Sequence, residues 1–283
     1  MTVPRSLIPC VFRLARRAAA ALVGVVVGAG ALQAQFTIEN LELHVPSGTR
    51  GAFTQLIPLR SEIDEVQQVR VWLGDWSRDS LGGNQILEYG STPRSCGGRI
   101  SIFPSTLQLG PRATDYVRVT YDAPAAADSG CWAIVLSETV RSPRQIEAER
   151  STSITINTIV GVKVYVHAAD AKAQAEVISA DVEAFWKPMD PPSRDSTLER
   201  QIAVRLANTG TAHLIVKSQV ELRDESSAVI DRLKVDDAYI TPDAWRDILV
   251  RLPRLPRGRY SAVVLLDYGA DEISAAQVEF EIP

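Results

Sequence analysis

Residues 152–166 read TSITINTIVGVKVYV, in which eight of fifteen residues are Ile, Val or Tyr and only Lys163 is charged. Side chains of this kind at this density favour a strand. The run is longer than the roughly 5–6 residues of an ordinary strand, so its first half is expected to project beyond its own sheet partner. A long apolar strand is either interior to a sheet or an edge that something must cover. Period two puts Ile154, Ile156 and Thr158 on one face and Thr155 and Asn157 on the other. The simpler reading is that Ile154 and Ile156 fill a core. The preceding charged loop, VRSPRQIEAERST, is what a cover over an edge that opens would look like.

Outward from that stretch, the chain has the composition of an ordinary globular protein. Its 283 residues suggest two domains at about 150 residues each. Val, Ile and Thr recur throughout. The balance of 30 basic to 34 acidic residues gives no basic surface for nucleic acid. Residues 1–34 read as a secretory signal, with four Arg, an apolar run AAAALVGVVVGAGAL and small residues before a cut after Ala34. That run is shorter than the ~20 residues needed to span a bilayer. Removing the four Arg takes 30 basic residues to 26 against 34 acidic, so the exported chain is acidic. Cys10 lies in the signal, leaving Cys96 and Cys131. An even pair in an exported chain points to a disulfide, with two separate buried thiols as the alternative.

Seven strand-like segments follow, namely FTIENLELHV, AFTQLIPLR, QQVRVWLGDW, GRISIFP, DYVRVTYD, CWAIVLSETV and the opening stretch. Turn residues separate them, including a Gly/Ser/Asn-rich loop expected over 77–98. This spacing predicts an antiparallel sandwich of the immunoglobulin type over 35–168. Arg70 and Arg118 are expected to face out, with the valines and Trp72 facing in. Pro58 marks a bulge or an edge. A polar link, HAADAKAQA (167–175), leads to a second set of strands and a second sandwich over 174–283. Asn208-Thr209-Gly210 signals a tight turn between two of those strands. AERSTS and DAWRD have room for a short turn at most.

Chemistry is hard to find. His44, His167 and His213 are far apart in the chain and no nucleophile elbow accompanies them. The loop from Asp75 through Asp79 to Asn84 lacks the alternating acids and closing Glu of a calcium loop. Trp72, Trp76, Trp132 and Trp186 read as core packing. These residues point away from an enzyme and from a cofactor, a metal or a small-molecule substrate.

Several segments, in order, resemble periplasmic pilus-assembly chaperones. ELHVPSG is similar to their first strand and turn, QVRVWLGDW to their Trp-bearing third strand, and FPSTLQLGPRATDYVRV to the stretch leading into a Val-Arg-Val strand. CWAIVLSE and IVGVKVYV resemble their last two strands. RLANTGTAHLIV and DYG resemble elements of their second domain. The resemblance implies a periplasmic protein of two immunoglobulin-like domains. Such a protein lends a strand to a pilin-like or other surface subunit and passes it to an outer-membrane usher-like platform. It also implies that Ile154, Ile156, Thr158 and Lys163 bind the subunit. In the family an Arg joins that Lys to grip a terminal carboxylate, but the matching position here is Glu42, and Arg50 fits only if the register slips. An exported structural or adhesive protein using the two sandwiches as a scaffold is the alternative.

Overall fold

The computed structural model describes residues 35–124, 129–140, 158–188 and 196–283. Among these the regular structure is all strand, and four sheets form two sandwiches. In the first, β1 (Phe36–Thr37), β3 (Ala52–Ser61), β8 (Thr114–Asp122) and β6 (Ile100–Phe103) form one sheet, in the order β1-β3-β8-β6. The facing sheet runs β2-β10-β9-β4-β5, where β2 is Glu42–Val45, β4 Gln67–Arg78, β5 Asn84–Glu88, β9 Cys131–Val140 and β10 Ile159–Val166. A short β7 (Thr106–Leu109) also pairs with β4.

The second sandwich sets β11 (Ala175–Pro188), β12 (Ser196–Asn208) and β16 (Trp245–Arg251) against a sheet ordered β14-β13-β17-β18. These four are β13 (Leu214–Asp224), β14 (Val229–Lys234), β17 (Gly258–Asp267) and β18 (Ser274–Ile282), and β15 (Ala238–Ile240) pairs with β13.

Alternation builds both cores. Val69, Val71, Val117, Val119, Val162 and Val164 are buried between the first two sheets, and Ile202, Val204, Val220, Leu222 and Val264 between the second two. Period two delivers these side chains to one face, and burying each stabilises the fold by about 1.5–3 kcal/mol. Cys96 and Cys131 are joined, with Cα atoms 5.0 Å apart.

Several expectations need correction. FTIENLELHV is two strands rather than one, because the chain crosses between sheets: β1 pairs with β3, whereas β2 lies parallel to β10. The 77–98 loop contains β5, which forms a hairpin with β4. Trp72 lies on the same face as Arg70, two residues away, and its ring sits under that guanidinium at 4.7 Å. Trp76 and Trp132 are buried, but in a separate cluster on the outer side of the sheet. Trp186 is 67% exposed and packs in no core. Pro58 sits where β3 has no partner on its outer side, since β1 reaches only Arg60 and Ser61. It is thus an edge position. DAWRD supplies a turn and then the start of β16. The expected signal, Ile154, Ile156 and the AERSTS segment lie outside the described residues. Among the described residues no helix is long and apolar enough to cross a membrane.

The outer cluster explains why CWAIVLSE lacks polar alternation. On the face of β9 turned from the core, Trp132, Ile134 and Leu136 pack with Trp76 and Tyr165. The Trp76 indole N–H donates to the Ala133 carbonyl and that of Trp132 to the Trp76 carbonyl, each at 3.1 Å. Gly161 leaves room for this layer, since a Cβ there would approach Ile134 Cδ1 to 2.6 Å.

Candidate functional site

β10 pairs with β9 along its whole length, Ile159 to Val166. On its other side β2 pairs only Lys163 to Val166. Among the described residues, the first half of β10, Ile159–Val162, therefore has one open edge. The Lys163 N–H donates to the Leu41 carbonyl and the His167 N–H to the Val45 carbonyl, both on the β2 side. Alternation along the strand aims the backbone groups of Ile159 and Gly161 the same way, where β2 no longer reaches. The inward face thins in the same direction. Val164 and Val162 are fully buried, Val160 is partly buried and Thr158 is exposed.

The register places Glu42 directly opposite Lys163, so it does not slip in favour of Arg50. The Lys163 ammonium lies over the Trp76 ring, 4.6 Å from its centroid. Burial holds its pKa below the usual lysine value, the charge of Arg78 adds to that, and Glu42 works against it. Arg78 enters this cleft from β4, two residues beyond Trp76 on the same face. Its guanidinium reaches the Tyr239 ring at 5.1 Å, and one nitrogen donates to the Gly82 carbonyl at 3.2 Å. Arg78 Nε is buried without a partner among the described residues. The Tyr165 hydroxyl meets Glu42 at 3.5 Å. Burial, then Glu42, pushes the Tyr165 pKa well above the usual phenol range.

A cavity of ≈100 Å³ opens beside these groups, lined by Glu42, Trp76, Arg78 and Tyr165 on one side and Leu214, Tyr239 and Thr241 on the other. His44, His167 and His213, far apart in the chain, line it too. His44 Nδ1 and His167 Nε2 share a hydrogen bond at 3.0 Å. The His213 ring packs edge-on against Trp132 at 5.0 Å and Tyr165 at 4.7 Å. No periodicity could have shown this, because β2, the end of β10 and the turn before β13 supply one ring each. Arg78 was more legible, since period two from Arg70, Trp72 and Trp76 leads to it.

Other polar groups are already engaged. Asp75 is fully buried. Its carboxylate accepts the Thr92 N–H and hydroxyl, both at 2.9 Å, and the Ser95 hydroxyl at 2.7 Å. Asp79 accepts the backbone N–H groups of Leu81 and Gly83 in its own turn. Among the described residues no set of three or more His, Cys, Asp or Glu converges to hold a metal ion. A larger groove of ≈560 Å³ runs between β14–β15 and β16, lined by neither Lys163 nor the histidines.

The two sandwiches meet through a few directed contacts. Arg94 donates through Nη2 and Nε to Asp243, at 2.6 and 2.9 Å. The Asp247 N–H donates to the Ser80 carbonyl at 2.8 Å. The segment after β10 is seated on the Asn208–Gly210 turn. The Thr209 and Gly210 N–H groups donate to the Gln174 carbonyl, and those of Thr211 and Ala212 to the Lys172 carbonyl. Gly210 permits this approach, since a Cβ there would collide with the Lys172 carbonyl.

No protein-family model matches the sequence, and no curated protein does. Solved structures of chaperone–usher pilus chaperones do match its fold. A chain of the chaperone–tip adhesin complex of CFA/I fimbriae biogenesis aligns with TM-score 0.50 and 13% identity, covering 87% of this chain and 98% of that one. The class 5 fimbriae chaperone CfaA aligns at TM-score 0.48 and 13% identity over 88% and 99%. The CsuC–CsuE chaperone–tip adhesion subunit complex of Acinetobacter baumannii aligns at 0.43 and 9% over 86% and 98%. At these identities the likeness is one of fold: two β-sandwiches in tandem, as in the pilus chaperones.

Proposed function

We propose that this chain is a periplasmic chaperone-like protein that holds pilus or other surface-appendage subunits by strand donation and hands them to an outer-membrane platform. The open edge of β10 carries the reading. Among the described residues, nothing pairs with the backbone groups of Ile159 and Gly161 on that side, and the inward face of the strand runs out of its own core at Thr158. An added client strand would gain its affinity from main-chain hydrogen bonds, while alternate side chains fill gaps in its core. Ile154, Ile156 and Thr158 have the parity of Val160 and Val162 and are the side chains we assign to the client. In this reading residues 1–34 are a cleaved signal, and 35–168 and 174–283 are the two domains. Lys163 and Arg78 together grip a negatively charged group of the client, with Arg78 on β4 serving where Glu42 replaces the Arg expected on β2. No cofactor is needed.

The test is co-expression with candidate small secreted subunits from the same genome. The unaltered protein should copurify with its subunit, and Ile154→Asp combined with Ile156→Asp should stay folded by circular dichroism but capture none. Normal capture by that folded variant would refute strand donation here. Collapse of its fold would show instead that the two isoleucines fill the core.

A further inference from the structure

All the histidines of the chain, three in number, meet at the junction of the two sandwiches, although the strand-donation reading uses none of them. His44 leaves β2 and His167 follows β10, both in the first sandwich, while His213 precedes β13 in the second. His213 packs edge-on against Trp132, Tyr165 and His167, with centroids at 5.0, 4.7 and 6.0 Å. These are contacts a neutral ring makes well, and an imidazolium in the same place loses much of its hydration. The charges around the cluster are mixed. Glu42 Oε2 lies 3.6 Å from His44 Nε2. His44 Nδ1 and His167 Nε2 face each other at 3.0 Å, a hydrogen bond that requires one of the two nitrogens to carry no proton. Arg94 lies near His213 on the third side, itself paired with Asp243. Arg78 and Lys163 add positive charge along the cleft wall and near Tyr165.

We propose that the three histidines form an acid-sensitive latch, holding the two sandwiches together while neutral and releasing them when protonated. The latch does not depend on client capture. Its sign follows from linkage. Burial, reinforced by His167, His44 and Arg94, lowers the His213 pKa from 6.5 to about 3 in the closed junction. Once the junction opens, the ring regains its ordinary value. His213 therefore favours the closed state fully above pH 6.5, and this preference erodes as pH falls towards 3. Between pH 7 and 5 the open state gains roughly 25-fold from His213 alone. Burial and the neighbouring His44 lower the His167 pKa as well, which adds in the same direction.

The test is small-angle X-ray scattering on the purified protein without any client, from pH 8 to 4.5, beside His213→Phe. Phenylalanine keeps the ring contacts but cannot titrate. The unaltered protein should expand as pH falls below about 6. His213→Phe should remain compact at least one pH unit further. A radius of gyration that stays flat in the unaltered protein, or the same midpoint in both, would overturn the latch. If His213→Phe does not fold, ring-proton NMR of the three histidines decides the matter in the unaltered protein. Titration of His213 together with the expansion is expected. An ordinary midpoint near 6.5 without expansion would overturn the proposal.

Discussion

Replacing Asp75 by Ala should weaken the first sandwich far more than one exposed acid would. The carboxylate has no exposed surface and accepts three hydrogen bonds, two on Oδ2 from Thr92 and one on Oδ1 from Ser95. Each is worth about 1–1.5 kcal/mol net, and stranding buried donors adds to the loss, for a total of about 3–5 kcal/mol. With a urea slope of about 2 kcal/mol per molar, the unfolding midpoint should fall by roughly 1.5–2.5 M. Asp75→Asn keeps one oxygen for the two Thr92 donors and should lose only about 1–2 kcal/mol. The damage should also travel, because the loop that Asp75 ties down carries Cys96 and Arg94. The weakened loop should therefore loosen the Arg94–Asp243 contact between the sandwiches. Urea titration followed by tryptophan fluorescence measures the loss. A shift under about 1 kcal/mol for Asp75→Ala, or equal losses for Ala and Asn, would refute the assignment of Asp75 as the anchor of this loop.

Ile159→Pro removes an N–H that faces the open edge and none of the bonds to β9, which Val160 and Val162 make. Edge strands tolerate proline, so stability should change by less than about 1 kcal/mol while client capture weakens about tenfold. Unchanged capture in pull-down titrations would rule out that edge as the point of contact. Gly210→Ala should push residues 172–174 off the turn and cost about 1–3 kcal/mol. Hydrogen–deuterium exchange should then show lost protection at Thr209–Ala212, and unchanged protection would contradict the seating described.

Much of the fold was legible because alternation and turn residues are local signals. The valines of β4 and β8 alternate with polar residues and are buried as expected. What the pattern missed was non-local. Nothing in FTIENLELHV tells that its halves belong to different sheets, because both halves are equally apolar and the crossing is set by tertiary pairing. Trp76 and Trp132 read as core, but a second apolar layer on the outer face accepts them equally well. The Lys163–Glu42 register could be counted from the resemblance, and Arg78 from period two. The histidines could not be grouped, since His44 and His167 are separated by 123 positions and meet only once both sheets exist.

The parallel pairing of β2 with β10 also orders events as the chain is made. β2 ends at Val45, while its partner ends at Val166. The sheet can therefore close only after more than a hundred further residues have emerged, a pairing of high contact order that folds slowly. β9 is complete at Val140, but the strand that covers its flank is not complete until Val166. A further 26 positions must therefore arrive before that flank is covered. For that interval the nascent first domain shows an open flank of β9 beside a buried-type sequence, CWAIVLSE. A protein read here as a guardian of incomplete sheets is itself an incomplete sheet until its last strand arrives.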